Sequence, residues 1–197
     1  TYCTDLFRRE VQGGRRITEQ CRRFWRGIAP ALGAVDRAQV VAGVVSVAAP
    51  TAREAGVELR ADGGQDLPTV RSNTEVIQHV VLNLLVNAIQ SCEGRGGRVD
   101  LRFQGDSSEV RIEIEDTGCG ISPQRREHLF EPFRSRKPTG TGLGLFLSRS
   151  FMRRFGGEVR LLRSQPGAGS CFEICFPAVQ APPHDPRPPT PEDPAGR

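Results

Sequence analysis

Residues 73–92, NTEVIQHVVLNLLVNAIQSC, decide the fold of this chain. Their apolar side chains recur at alternating intervals of three and four residues, which is the period of a helix with one buried face. The residues on this face are Val76, Ile77, Val80, Val81, Leu84, Leu85, Ala88 and Ile89. Either Ser72 or Asn73 can cap the amino end of such a helix. The stretch therefore predicts a long helix, packed in the core, that ends near Cys92.

Two carboxamides interrupt this apolar face. Asn83 and Asn87 are four residues apart, so they lie on the same side of the predicted helix. Buried amides need hydrogen-bond partners, and the pair can serve simply to cap neighbouring backbone groups. A carboxamide oxygen is also a hard, neutral ligand that suits Mg²⁺. The spacing alone leaves the structural and the metal-binding interpretation open.

The segments around this helix complete a mixed pattern of helices and strands. Upstream, helical spacing runs from Asp36 to Pro50 and resumes to about Ala55, and residues 56–61 follow as a strand. Downstream, the sequence predicts two hairpins and two helices. The hairpin strands are 98–104 with 109–115 and 158–163 with 170–176, and the helices are 122–130 and 143–155. This order predicts an α+β fold, a two-layer α/β sandwich with a mixed sheet packed on helices.

A second motif, Asp116-Thr-Gly118-Cys-Gly120-Ile121, follows the second strand of the first hairpin. Glycines two residues apart let the backbone approach a flat ligand. A carboxylate at the end of a strand can accept a hydrogen bond from an exocyclic amine. Taken alone, the motif is explained about as well by a simple turn.

A third motif is rich in glycine and directly precedes the last predicted helix. It reads Gly140-Thr141-Gly142-Leu143-Gly144-Leu145. Backbone N–H groups at such a loop, with the positive end of the helix dipole, form a cradle for an anion. It is neither a dinucleotide-binding nor a Walker motif, because Leu replaces the last glycine and no Gly-Lys-Ser/Thr occurs. A flexible linker is the alternative interpretation.

The fourth motif, Phe130-Glu-Pro-Phe133, predicts a hydrophobic hinge or a small satellite of the core. The four motifs in this order resemble the N, G1, F and G2 boxes of the ATP-binding catalytic domain of sensor histidine kinases, within the GHKL ATPase superfamily. The resemblance extends from about residue 36 to residue 177. It implies the GHKL (Bergerat) fold with an ATP lid, and a protein-histidine kinase of two-component signal transduction. Such a kinase donates the γ-phosphoryl group of ATP to a His on a dimerisation domain, for relay to an Asp of a response-regulator receiver domain.

The resemblance also implies roles for individual residues. Asn87 would bind Mg²⁺, and Asn83, one turn earlier, would contact the metal or the phosphates. Asp116 would accept from the adenine amino group, and Ser170 would join through water. Lys137, the sole lysine of the chain, would reach the β- or γ-phosphate from the lid, which would run from Phe130 to Thr141. The other residues implied in ATP binding are Gly118, Gly120, Ile121, Phe130, Phe133, Gly140, Thr141, Gly142, Leu143, Gly144 and Leu145.

The chain departs from the histidine kinase pattern in its missing phosphoacceptor, since no His precedes His79. The Arg-rich residues 1–32 are then expected to be a helical remnant of the dimerisation hairpin, with 33–178 as the catalytic domain. The alternative is a GHKL ATPase or nucleotide-gated switch. Hydrolases of that superfamily carry a Glu general base where Asn83 stands, and a carboxamide cannot take a proton from water.

The composition limits the classes of protein to which this chain can belong. With 197 residues, 37% hydrophobic and 25% charged, the chain belongs to the soluble globular class. The longest apolar stretch, 40–49, is far shorter than a bilayer span, and no signal peptide opens the chain. We therefore expect a cytoplasmic protein, or the cytoplasmic part of a membrane-bound sensor that forms a homodimer. The six cysteines form no CxxC pair, which favours reduced thiols.

The two ends of the chain differ from its body. Seven arginines against three acidic residues in 1–30 account for the whole net charge of +4. No helix-turn-helix or zinc-finger pattern accompanies them, so no nucleic-acid partner is expected. Residues 179–197 are rich in proline, which predicts a disordered tail.

Overall fold

The computed structural model describes residues 33–64, 67–134 and 142–178. Its helices are α1 (Arg37–Glu54), α2 (Thr74–Ser91), α3 (Pro123–Arg126) and α4 (Gly144–Arg154). Its strands are β1 (Gly33–Ala34), β2 (Val57–Asp62), β3 (Arg71–Ser72), β4 (Gly97–Gly105), β5 (Glu109–Asp116), β6 (Glu158–Gln165) and β7 (Gly169–Pro177). The predictions for residues 1–32 and 179–197, and for Lys137, Gly140 and Thr141, lie outside the described residues.

Five strands form one mixed sheet in the order β2-β4-β5-β7-β6. β2 runs parallel to β4, and every other neighbouring pair in this sheet is antiparallel. Both predicted hairpins, β4-β5 and β6-β7, are present. The expected α+β fold with a mixed sheet is therefore confirmed.

One face of this sheet packs against the helices. In β5 the odd and even positions alternate, so that Val110, Ile112 and Ile114 are buried while the residues between them are partly exposed. The helices α1 and α2 pack on each other, and α4 packs on α2 and on β6. A single hydrophobic core fills the space between the sheet and these three helices.

The opposite face of the sheet is charged. On this face Glu115 of β5 accepts from Arg102 of β4 at 3.1 Å and from Arg163 of β6 at 2.6 Å. The Arg163 guanidinium lowers the pKa of the Glu115 carboxyl below its usual value. Alternation of apolar and charged residues along β5 thus gives the sheet one dry face and one wet face.

The two long helices begin at the residues that cap them. Asp36 accepts from the Gln39 backbone N–H at 3.0 Å at the start of α1. Asn73, one of the two caps considered for α2, accepts from the Val76 N–H at 3.0 Å. α1 continues through Pro50 as one helix, with buried residues Val40, Val44, Ala48 and Ala52 on both sides of the proline.

Two parts of the fold differ from expectation. The helix predicted over 122–130 stops at Arg126, because the chain beyond it closes i to i+3 turns, with Leu129 N bonded to Arg126 O and Glu131 N to His128 O. The small β1-β3 sheet was not predicted. Strands of two residues are too short to show a period of two.

Candidate functional site

Asp116 ends strand β5 at a buried position. The inward alternation of Val110, Ile112 and Ile114 continues to residue 116, where the side chain is a carboxylate only 4% exposed. This inward face lies under α2. The alternation of β5 therefore turns the Asp116 carboxylate toward the helices, at the edge of the core.

The Asp116 carboxylate has specific partners. Its Oδ1 accepts from the Ser91 hydroxyl at 2.7 Å and from the Gly118 backbone N–H at 2.8 Å. Burial raises the pKa of Asp116, while the bonds from Ser91, Gly118 and the Ser170 backbone act in the opposite direction. A carboxylate held in this way can recognise a ligand amine.

The packing of the turn after Asp116 requires glycine at positions 118 and 120, independently of any ligand. A Cβ atom on Gly118 would lie 2.5 Å from the Ser91 carbonyl oxygen, at the end of α2. Gly120 has a φ of +65°, and its Cβ would overlap the backbone of Gln165. The glycines thus let the turn after Asp116 close against α2 and β6, a reason that sequence spacing does not reveal.

Ser164 links the turn to the second hairpin. The Ile121 backbone N–H donates to the Ser164 hydroxyl at 2.8 Å, and the Ser164 and Ser170 hydroxyls are 2.9 Å apart. Ser170 also pairs with Asp116 in the β5-β7 register. Asp116, Ile121 and Ser170, far apart in sequence, therefore lie together.

Asn83 meets the start of α4. Its side-chain amide donates to the Ser148 hydroxyl at 2.8 Å, and Ser148 is 1% exposed. A Cβ on Gly144 would lie 2.7 Å from Asn83 Oδ1, so a larger residue here would displace the Asn83 side chain. The structure thus brings the carboxamide motif and the carboxyl end of the glycine motif into contact.

Asn87 lies one turn after Asn83, half-buried, on the same side of α2. Eight residues separate Asn83 from Ser91, which is about 12 Å along a helix axis. α2 therefore connects two regions of different chemistry. Its carboxyl end contacts the carboxylate of Asp116, and its middle contacts the glycine motif.

The Phe130-Glu-Pro-Phe133 motif divides into two environments. Phe130 packs against the core, and the Arg149 guanidinium lies 4.7 Å from the centre of its ring. Phe133 is 70% exposed and has a φ of +64°. The Cβ position of Gly142 lies 2.5 Å from Arg134 N, so the chain before residue 135 touches the chain after residue 141. The lid prediction otherwise falls on residues outside the described ranges.

The remaining members of the glycine motif differ in burial. Leu143 is buried at 8% exposure, while Leu145 is partly buried and packs against the core. Leu145 therefore anchors the first turn of α4 to the core.

Sequence reasoning missed Ser91, Ser148 and Ser164, which support the site residues. A signal existed for Ser91, because it continues the spacing of four from Asn83 and Asn87. No such signal exists for Ser148 or Ser164. They are 65 and 43 residues away from Asn83 and Ile121, the residues they bond.

Among the described residues, no helix combines the length and the apolar character that crossing a bilayer requires.

Comparison with known proteins identifies the kind of site. Residues 72–180 match the family of histidine kinase-, DNA gyrase B- and HSP90-like ATPases. The signal transduction histidine-protein kinase AtoS of Escherichia coli is 36% identical over 62% of this chain and 21% of its own length. The C4-dicarboxylate transport sensor protein DctS of Rhodobacter capsulatus is 33% identical over 77% of this chain and 23% of its own.

Solved structures agree with this match. The crystal structure of full-length ShkA in complex with AMPPNP superposes with a TM-score of 0.68 at 30% identity, over 79% of this chain and 33% of that one. The catalytic domain of the histidine kinase ThkA, at 23% identity, shares the fold with a TM-score of 0.64 over 75% of this chain and 95% of its own. The chain belongs to the family of histidine kinase-, DNA gyrase B- and HSP90-like ATPases, as an ATP-binding catalytic domain of the sensor histidine kinase type.

Proposed function

We propose that this domain transfers the γ-phosphoryl group of ATP to a His of a dimerisation domain, for relay to an Asp of a response-regulator receiver domain. The chain spans 21% to 31% of the lengths of its relatives AtoS, DctS and ZraS. The observation that carries the proposal is that one helix, α2, contacts both parts of the site. Its Asn83 contacts Gly144 and Ser148 of α4, and its Ser91 donates to Asp116.

Asp116 supplies the adenine site. Its buried carboxylate accepts a hydrogen bond from the exocyclic amine, and burial makes this interaction stronger than it would be in water. Gly118, Gly120 and Ile121 line the base, and Ser170 joins through water. The network of Ser164 with Ile121 and Ser170 supports this role, because it keeps the lining residues at fixed distances from the carboxylate.

The glycine motif and α2 supply the phosphate site. Backbone N–H groups of residues 140–145 and the amino end of α4 hold the phosphates, and Lys137 meets the terminal one. Asn87, with Asn83 beside it, offers carboxamide oxygens to Mg²⁺. The bound nucleotide would supply the γ-phosphoryl group, and Mg²⁺ held by these residues would offset the negative charge of the phosphates. The lack of a side chain at Gly144 supports this assignment, since a Cβ would occupy space beside Asn83.

The residues of the site favour transfer over hydrolysis. Asn83 donates its amide hydrogen to Ser148 and has no group that can remove a proton from water. Its role is to orient the phosphates toward an acceptor that the partner domain brings in line. We further propose a homodimeric, cytoplasmic parent protein with no nucleic-acid partner.

The test is incubation with γ-labelled ATP, alone and with a His-bearing dimerisation segment added in trans. We expect acid-labile label on the added His and little phosphate release by this chain alone. Rapid phosphate release that Asn83→Ala abolishes would instead identify an ATPase or nucleotide-gated switch.

Nucleotide binding is tested separately by calorimetry with ADP. Asp116→Asn keeps the shape of the side chain and removes its charge, which should cost about 1.5 to 3 kcal/mol of binding free energy. Equal ADP affinities for the variant and the wild type would remove Asp116 from the site.

A further inference from the structure

We propose that Ser91 is a positioning residue for adenine recognition, which holds the Asp116 carboxylate ionised and in one orientation. This inference rests on the proposed role of Asp116 as the acceptor of the adenine amine. Ser91 lies at the last position of α2, one turn after Asn87. According to this proposal, α2 contributes to binding both ends of the nucleotide, the adenine through Ser91 and the phosphates through Asn83 and Asn87.

The hydroxyl of Ser91 has two acceptors and one proton. Its Oγ lies 2.8 Å from the Ala88 carbonyl oxygen and 2.7 Å from Asp116 Oδ1. A hydrogen bond to an ionised carboxylate is stronger than one to a neutral carbonyl. While Asp116 is ionised, the Ser91 proton is therefore directed to the carboxylate. If Asp116 takes up a proton, the Asp116 hydroxyl donates to Ser91 Oγ and the Ser91 proton turns to Ala88.

Two donors on one oxygen also fix the orientation of the carboxylate. The Gly118 N–H donates to the same Oδ1 at 2.8 Å, from the direction of the turn. Rotation of the carboxylate would break both bonds at a site that is 4% exposed. Oδ1 is thus held by two donors of the protein, so the carboxylate keeps one orientation.

Ser91 has a second connection to the turn through its backbone. Its carbonyl oxygen accepts from the Cys119 N–H at 3.0 Å, and the lack of a Cβ on Gly118 leaves room for this contact. The backbone bond is independent of the side chain. A substitution of the hydroxyl alone therefore leaves the docking of the turn on α2 intact.

The test compares ADP with inosine diphosphate, which carries a carbonyl oxygen in place of the adenine amine. Wild type should prefer ADP, because an ionised carboxylate accepts from the amine and repels the carbonyl. In Ser91→Ala the affinity for ADP should fall about tenfold, while the affinity for inosine diphosphate changes much less. Ser91→Thr keeps a hydroxyl and should restore the preference for ADP. If the role of Ser91 were purely structural, Ser91→Ala would lower the affinities for both nucleotides by a similar factor.

The pH dependence gives a second readout. Loss of the Ser91 donor raises the pKa of Asp116 further, so ADP affinity should begin to fall at a higher pH in Ser91→Ala than in wild type. Ser46→Ala is the matched control, since the Ser46 hydroxyl makes the same bond to a carbonyl three residues earlier, at 2.9 Å, in the exposed part of α1. Ser46→Ala should leave the affinities for both nucleotides and their pH dependence unchanged.

The outcomes separate this inference from the proposed function. If wild type does not distinguish ADP from inosine diphosphate, and Asp116→Asn binds both as wild type does, the adenine site itself is wrong. If wild type and Asp116→Asn behave as expected but Ser91→Ala keeps the wild-type preference and pH profile, only the role of Ser91 is overturned. Thermal unfolding of each variant confirms that the folded protein is being compared.

Discussion

At the scale of single residues, His79 shows how burial changes chemistry beside the site. It lies one turn before Asn83 on α2, its Nδ1 is inaccessible to solvent, and its ring meets the edge of Phe151 at 6.0 Å between centres. Burial lowers its pKa to about 4. The imidazole is therefore neutral at physiological pH, as a residue inside a helix interface and not a charged group of the site.

This pKa predicts a pH dependence of stability. As pH falls below 6.5 the unfolded chain takes up a proton on His79 before the folded chain does, so stability present above 6.5 is lost toward pH 4. Urea unfolding at pH 7.5 and pH 5.0 should show a smaller loss for His79→Leu than for wild type. A titration of the His79 ring by NMR should have its midpoint near 4. Equal losses in both proteins would contradict the assignment.

At the scale of elements, the contact between α2 and α4 includes a polar bond within a largely apolar interface. Asn83 donates to Ser148, and Ser148 is fully enclosed between these helices. The bond gives the buried Ser148 hydroxyl and the half-buried Asn83 amide a partner, and it holds Asn83 beside Gly144.

Removal of one partner should therefore be costly. Ser148→Ala leaves the Asn83 amide without its acceptor and should lower the free energy of unfolding by about 1 to 3 kcal/mol. Ser150→Ala is the control on the same helix, because the Ser150 hydroxyl makes a local, solvent-exposed bond to the Phe146 carbonyl, at 2.8 Å. It should change stability by no more than about 0.5 kcal/mol. Denaturant unfolding measures both, and similar losses would show that the Asn83 bond contributes little.

At the scale of the whole molecule, one core joins the sheet to three helices. Ile114 is fully buried on the central strand β5, two residues before Asp116, and belongs to the cluster that includes residues of α1, α2 and α4. A cavity at this position would weaken the packing of every element that contacts the strand.

Ile114→Ala should lower the free energy of unfolding by about 2 to 5 kcal/mol, from lost burial and the cavity left behind. Leu162→Ala removes a comparable side chain at a site that is 43% exposed, at an irregularity of β6, and should cost far less. Far-UV circular dichroism and the backbone amide NMR signals of the sheet and of the helices should follow the same transition in urea. Separate transitions would contradict a single core.

The sequence by itself determined the long helices, the five strands of the main sheet and the chemical types of the site residues. The 3.6-residue period placed α2 and put Asn83 and Asn87 on one side of it, and the alternation of β5 carries Asp116 inward. These are local signals, because each depends on residues within a few positions of one another.

Only the tertiary structure decided how these pieces meet. The insertion of β5 between β4 and β7 puts Asp116 opposite Ser170, and the packing of α4 on α2 puts Ser148 and Gly144 against Asn83. The bond from Ser91 to Asp116 spans 25 residues, and the bond from Asn83 to Ser148 spans 65. Contacts of that separation leave no period in one sequence, since many strand orders and helix packings satisfy the same local pattern. The partners that hold the site residues in place were therefore decided by the fold.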